Sequence, residues 1–124
     1  VKRLAVAVLL AVSACGASQG RGAPRSAIGP DAGLAPDAVH TVVRAHVPAI
    51  RACYERFAKV EGRPMGIVRL GWQIEPSGTV TSVELVASSL HSAAIESCIA
   101  DDVAHWQFPA APRGTEVRQY PFEF

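Results

Sequence analysis

The chain has 124 residues, 49% hydrophobic and 19% charged, which leaves room for one small domain and excludes a multidomain enzyme. Its formal net charge of +1 comes from scattered basic residues, so it lacks the clustered positive footprint of a nucleic-acid binder. Three cysteines are an odd number, and in an oxidising compartment one of them has no disulfide partner.

The N-terminal segment separates the cysteines by role. Val1-Lys2-Arg3 precede an apolar run from Leu4 to Val12, followed by Ser13-Ala14-Cys15 and then glycine and polar residues, the anatomy of a secretory signal. The run is much shorter than the roughly 20 residues of a bilayer-spanning helix, so a permanent transmembrane anchor is not expected. Val12-Ser13-Ala14-Cys15 resembles the bacterial lipobox, in which the thiol is acylated and the signal is cut just before the cysteine. The expectation is a lipoprotein signal over residues 1–14 and a lipidated Cys15, with an ordinary Ala-x-Ala-like cleavage site as the alternative. Several acyl chains on one residue hold a protein stably on a membrane without crossing it. Gly16 in place of an aspartate after the lipidated cysteine fits sorting to the outer membrane, facing the periplasm. Without Lys2 and Arg3, ten basic side chains remain against eleven acidic ones, so the net basic balance belongs to the signal.

With Cys15 assigned to lipid, Cys53 and Cys98 form an even pair in a compartment where disulfides persist, and a bond between them is the economical reading. Residues 15–37 are mostly Gly, Ala, Pro, Ser and Arg and bury too little apolar surface to order themselves, which makes them a flexible tether. One compact unit is expected over residues 38–124.

Asp37 is placed to cap a helix whose apolar positions Val39, Val43, Ile50, Cys53, Tyr54 and Phe57 recur at helical spacing. Pro48 should kink it or split it near His46, and Gly62-Arg63-Pro64 should end it. Val68, Leu70, Trp72 and Ile74 alternate as the buried face of a strand, and Glu75-Pro76-Ser77-Gly78 turns into a second strand carrying Val80, Val83, Leu85 and Ala87. The apolar phase slips by one between Val80 and Val83, which predicts a bulge or a strong local twist in that strand. Ser88 and Ser89 offer caps for a second helix with Ile95, Cys98, Ile99, Val103 and Trp106 on its inner face, ending near His105. A last strand carries Tyr120, Phe122 and Phe124 on one face, and Pro121 predicts that it lies at a sheet edge or carries a bulge there.

The order α-β-β-α-β, with a right-handed return over the sheet, predicts an α+β fold. Its three-stranded antiparallel sheet should run in the order second, first, third, with both helices on one face. Cys53 and Cys98 would then clip the helices together, leaving Arg69, Gln73 and Arg118 on the open face.

Several stretches are recognisable together: Cys53-Tyr54-Glu55, Gly66, Pro76-Ser77-Gly78-Thr79-Val80, Ser88-Ser89-Leu90, Ile95-Glu96-Ser97-Cys98, Trp106-Gln107-Phe108-Pro109 and Tyr120-Pro121-Phe122-Glu123-Phe124. In this spacing they resemble the AgmX/PglI C-terminal domain, a myxobacterial relative of the TonB C-terminal domain, over about residues 39–124. The resemblance implies a TonB-like fold without a catalytic site, and an envelope or gliding-motility setting. It also implies a protein partner taken as an extended peptide along the last strand, through Thr115, Val117, Gln119, Tyr120 and Phe122. The expected short, lipid-anchored tether would set the chain apart from TonB, which has a transmembrane anchor and a long proline-rich spacer.

Catalytic and metal readings are weaker. His46 with Cys53, and Cys98 with His105, are each seven residues apart, a rise of roughly 10.5 Å along a helix, too far for both members to reach one zinc ion. Neither a thiol nor a serine nucleophile has an orienting motif, and there is no phosphate-binding glycine loop. No enzyme activity, cofactor, metal or nucleic acid is expected; the alternative is a small thiol- or zinc-dependent enzyme, or a redox protein, using Cys53 and Cys98. The oligomeric state is not legible.

Overall fold

The computed structural model describes residues 33–124. The signal segment, Cys15 and the tether up to residue 32 lie outside the described residues. The elements are α1 (Pro36–Ala58), β1 (Ile67–Ile74), β2 (Val80–Ser88), α2 (Ala93–Ala104) and β3 (Thr115–Glu123), with the antiparallel sheet in the order β2-β1-β3. This is the expected α+β arrangement. The ordered unit reaches back past residue 38, because Leu34 is buried in the core.

Helix α1 differs from expectation in two places. Its N-cap is Ala35, with Pro36 supplying the first helical residue, whose fixed φ suits a helix start and whose missing N–H would be unpaired there anyway. Asp37 therefore lies within the first turn, favoured by the helix dipole, and does not cap. Pro48 remains inside one continuous helix. The bond it forfeits is the one to the Arg44 carbonyl, and both residues are on the exposed side, where water can serve that oxygen. The buried stripe of Val39 and Val43 resumes beyond the proline at Ile50 and Cys53, with His46 and Val47 half-buried between them.

Strand β1 is the centre of the sheet, and its Val68, Leu70, Trp72 and Ile74 are buried on the helix-covered face. Both neighbours carry extra residues against it. On β2, Gly71 faces Glu84 while Gln73 faces Thr81, and Ser82 takes φ +54°, which is the phase slip visible between Val80 and Val83. On β3, Leu70 faces Tyr120 while Trp72 faces Val117, so Arg118 and Gln119 share the place opposite Gly71. A Cβ at Gly71 would fall 2.8 Å from the Arg118 carbonyl oxygen and 3.2 Å from that of Val117.

The hairpin closes with Gly78 N–H on the Glu75 carbonyl at 2.8 Å. Gly78 has φ +89°, and a Cβ there would overlap the Phe108 carbonyl, whose own N–H donates to Gly78 at 2.9 Å. The Trp106–Phe108 segment is thereby fastened to the turn, and Trp106 and Phe108 pack around Trp72. Helix α2 is capped by Ser92, whose hydroxyl accepts from Ile95 N–H at 3.2 Å, and not by the two expected serines. Ser88 accepts from Leu90 N–H and Ser89 from Ile67 N–H, so both tie the loop back on itself and to β1 before the helix begins. The C-cap is His105, as the spacing predicts.

Cys53 and Cys98 are joined, with Cα atoms 5.7 Å apart and a sequence separation of 45, and they link α1 to α2. Cys53 is buried, whereas Cys98 is half-exposed at the rim of the helix pair.

Two stability measurements follow from these constraints. Closing a loop of this length stabilises a fold by about 4 kcal/mol in the chain-entropy model, so Cys53→Ser with Cys98→Ser should lower the urea midpoint by a corresponding amount. A midpoint equal to that of the oxidised parent would contradict a structural role. Gly71→Ala should cost about 1–3 kcal/mol through overpacking against fixed backbone oxygens, read as a drop in melting temperature with the secondary structure retained.

Candidate binding edge

Strand β3 borders β1 on one side only, so the phase of its backbone decides what its other side offers. Gly66 and Phe124 exchange both hydrogen bonds, at 3.1 and 2.9 Å. In an antiparallel ladder such pairs alternate with pairs whose N–H and C=O groups point away. Phe122 opposite Val68 and Tyr120 opposite Leu70 therefore turn their backbone groups to β1, and Pro121 opposite Arg69 faces outward. The proline costs the β1 ladder nothing, and it leaves a gap in the donors of the free edge. Beyond the bulge, Val117 opposite Trp72 and Thr115 opposite Ile74 again face β1, which leaves Glu116 presenting its N–H and C=O outward.

This phase redistributes the five residues singled out in the sequence. Val117 and Tyr120 bring half-buried side chains to the edge, and Gln119 is exposed in the bulge. Thr115 accepts Leu34 N–H on its hydroxyl at 2.7 Å. Phe122 is buried against Trp106 and Tyr120, so its side chain serves the core and does not reach a ligand. Sequence reasoning missed Glu116, whose outward backbone is set by counting back from Phe124 through the bulge. It also missed the opposing wall.

That wall is the first turns of α1. Between it and β3 lies a cleft of about 290 Å³ lined by Leu34, Pro36, Val39, Val117 and Tyr120, with His40 and Glu116 at its rim. Its lining is mainly aliphatic and aromatic. The Tyr120 hydroxyl shares a 2.7 Å hydrogen bond with His40 Nδ1, which ties β3 to α1 across the floor of the cleft. The rings meet edge to face with centroids 5.5 Å apart. Burial raises the Tyr120 pKa above its ordinary value, and the nearby Arg44 charge opposes this in part.

The chemistry available to the alternative reading is committed elsewhere. The disulfide consumes the thiols of Cys53 and Cys98. His46 donates from Nδ1 to the Val42 carbonyl at 2.8 Å and stacks on Trp106, and His105 donates from Nδ1 to the Asp101 carbonyl at 2.7 Å. Among the described residues no group of three or more His, Cys, Asp or Glu side chains is placed to hold a metal ion.

The Tyr120 shift has a definite sign. A phenol that is harder to ionise when folded contributes full stability below its ordinary pKa of 10.0 and loses it as pH rises beyond that value. Tyr120→Phe should therefore reduce the loss of stability above pH 10 relative to the parent, while it removes the His40 bond at neutral pH; parallel denaturation curves at both pH values check this.

No family model matches the chain, and no curated protein matches it. The AgmX/PglI resemblance therefore rests on the sequence motifs themselves. Among solved structures the chain is similar to two NMR solution structures of the Helicobacter pylori TonB C-terminal domain. The one of residues 194–285 is 21% identical, with 67% of this chain and 91% of that chain covered and a TM-score of 0.49. For the one of residues 179–285 the identity is 17%, the coverage 75% and 94%, and the TM-score 0.45.

Proposed function

We propose that this protein is a non-enzymatic protein-binding module of the TonB-like class, held on the periplasmic face of the outer membrane by lipid on Cys15. Its partner is an envelope protein that offers an extended segment, within an envelope or gliding-motility assembly of the kind the motif resemblance implies. The observation that carries this reading is the free edge of β3, whose outward Glu116 backbone lies beside an apolar cleft. Strand addition needs both features: main-chain bonds supply affinity, and a pocket for an alternate side chain supplies selectivity. The lipidated anchor and the export route are supported by the basic, apolar and Val12-Ser13-Ala14-Cys15 pattern of the N-terminal segment. A thiol or zinc enzyme is disfavoured because the disulfide removes both candidate thiolates.

A photo-reactive residue at Gln119 in cells should yield a discrete adduct with one envelope protein. Glu116→Pro, which deletes the outward donor while leaving the β1 ladder intact, should abolish that adduct without unfolding the domain. Adducts that persist in this variant would overturn the strand-addition reading. Palmitate should label the parent chain and not Cys15→Ala; absence of label in the parent would remove the lipid anchor.

A further inference from the structure

The sheet has a second outer strand, and it is built differently from β3. Thr79 forms an antiparallel bridge with Gln107 just before β2, and beyond that point the strand has no neighbour on its outer side among the described residues. Its two bulges bend this side without covering it, and neither proline nor lysine blunts it. The strand instead exposes two adjacent aliphatic side chains, Leu85 (45%) and Val86 (40%).

The backbone phase follows from Ser89 N–H, which donates to the Ile67 carbonyl at 3.0 Å. Ile67 thus faces β2, and by alternation Arg69 and Gly71 do too, so their partners Ala87 and Glu84 face β1. Leu85, opposite Leu70, turns its N–H and C=O outward. Its side chain forms one side of a groove of about 150 Å³, and α2 forms the other through Ala93, Glu96, Ser97 and Ala100. Val86 lies over Gly71 on the opposite face of the sheet.

The charge around this groove has one sign. Residues 80–104 hold Glu84, Glu96, Asp101 and Asp102 and not one Lys or Arg, and His91 is the single group there that can become cationic. Asp102 accepts from Trp106 Nε1 at 2.9 Å, and Asp101 lies on the other flank of α2 with Arg56 and Phe57. Glu96 in the groove wall and Glu84 beside Leu85 stand in no ion pair, since the pairs among the described residues are Arg63 with Glu55 and Arg118 with Glu116. A second copy of the chain docked here about a two-fold axis brings two acidic grooves together, a like-charge contact that opposes binding. The complementary occupant is cationic.

We propose that the outer side of β2 and the groove beneath α2 form a second docking surface, which takes a short, basic, extended segment of a partner protein. An aliphatic side chain enters the groove against Leu85, Ala93 and Ala100, neighbouring Lys or Arg side chains meet Glu84 and Glu96, and the main chain pairs at Leu85. Affinity is shared among these three contributions, and the exposed ion pairs make it weak and salt-dependent. This surface is on the far side of β1 from β3 and stands independently of the reading of β3 as a binding edge. Where both hold, one domain joins two partners at opposite edges of one sheet.

The test titrates a synthetic Lys-Val-Lys-Leu-Lys-Val-Lys peptide into the isotopically labelled full chain at low salt and follows the amide resonances. Shifts should centre on Leu85, Val86, Ala93, Glu96 and Ala100 and fade as salt is added, and the same peptide with Glu in place of each Lys should produce none. Glu84→Gln with Glu96→Gln, two changes at the surface, should weaken binding roughly tenfold with the rest of the spectrum preserved. Leu85→Ser should weaken it as well. Shifts centred on Glu116 and Tyr120, shifts spread over every acidic residue, equal binding of the acidic peptide, or unchanged binding in the double Gln variant each overturn the proposal. So does a dimer in sedimentation that Leu85→Ser dissociates, which would assign the groove to a second copy. Glu116→Pro should leave this titration unaltered, so loss of the Gln119 adduct bears on β3 alone and loss of the peptide shifts on β2 alone.

Discussion

The fold hangs on one crowded point, the passage of β1 between two bulged neighbours at Gly71. Four alternate side chains of β1 are buried under the helices, so the strand cannot slip by one residue without turning Trp72 and its companions to solvent. The neighbours absorb the mismatch near Gly71, β2 by two extra residues and β3 by one, and the carbonyls of Val117 and Arg118 close over the space a side chain would take. The bulges bend and twist the outer strands while the central strand keeps its register. Both flanks of the sheet, and therefore its free edges, take their phase from this point.

The helix layer is secured differently. Helices α1 and α2 bury narrow stripes over a three-stranded sheet, and a domain of this size has little stability to spare. The Cys53–Cys98 bond constrains the unfolded chain without needing more core, and its separation of 45 residues makes the constraint substantial. The aromatic contacts of Trp72, Trp106, Phe108 and Phe122 then fill the space between helices and sheet. Trp72 Nε1 is buried in this packing with no hydrogen-bond partner among the described residues.

Much of this was legible in the residues because it depends on local periodicity. The alternation in Val68, Leu70, Trp72 and Ile74 located the central strand, and the one-residue slip between Val80 and Val83 located the β2 bulge. The pairing of Cys53 with Cys98 followed from parity and compartment. What was not legible depends on which of several similar groups wins in three dimensions. Three serines precede α2 and all can cap; Ser92 does so because Ser88 and Ser89 are already drawn to the loop and to β1. Pro48 reads as a kink or a break, and the break does not occur, since buried side chains on either side hold α1 in one piece. The cleft could not be read at all, since it joins Leu34 and Val39 to Val117 and Tyr120 across some 80 residues of sequence.

The free edge shows how one residue can serve both folding and restriction. Pro121 faces outward, where its missing N–H removes nothing from the sheet and denies a donor to any strand that would pair along the whole of β3. An uninterrupted edge of this length would invite unspecific pairing between copies. For the proposed strand addition, the gap would confine pairing to the stretch around Glu116, the stretch that also borders the cleft. In the strand addition proposed for this edge, selectivity would come from geometry twice over: the backbone would admit only a short segment, and the cleft wall made by Val39 and Tyr120 would ask that segment for an apolar side chain in register with Glu116.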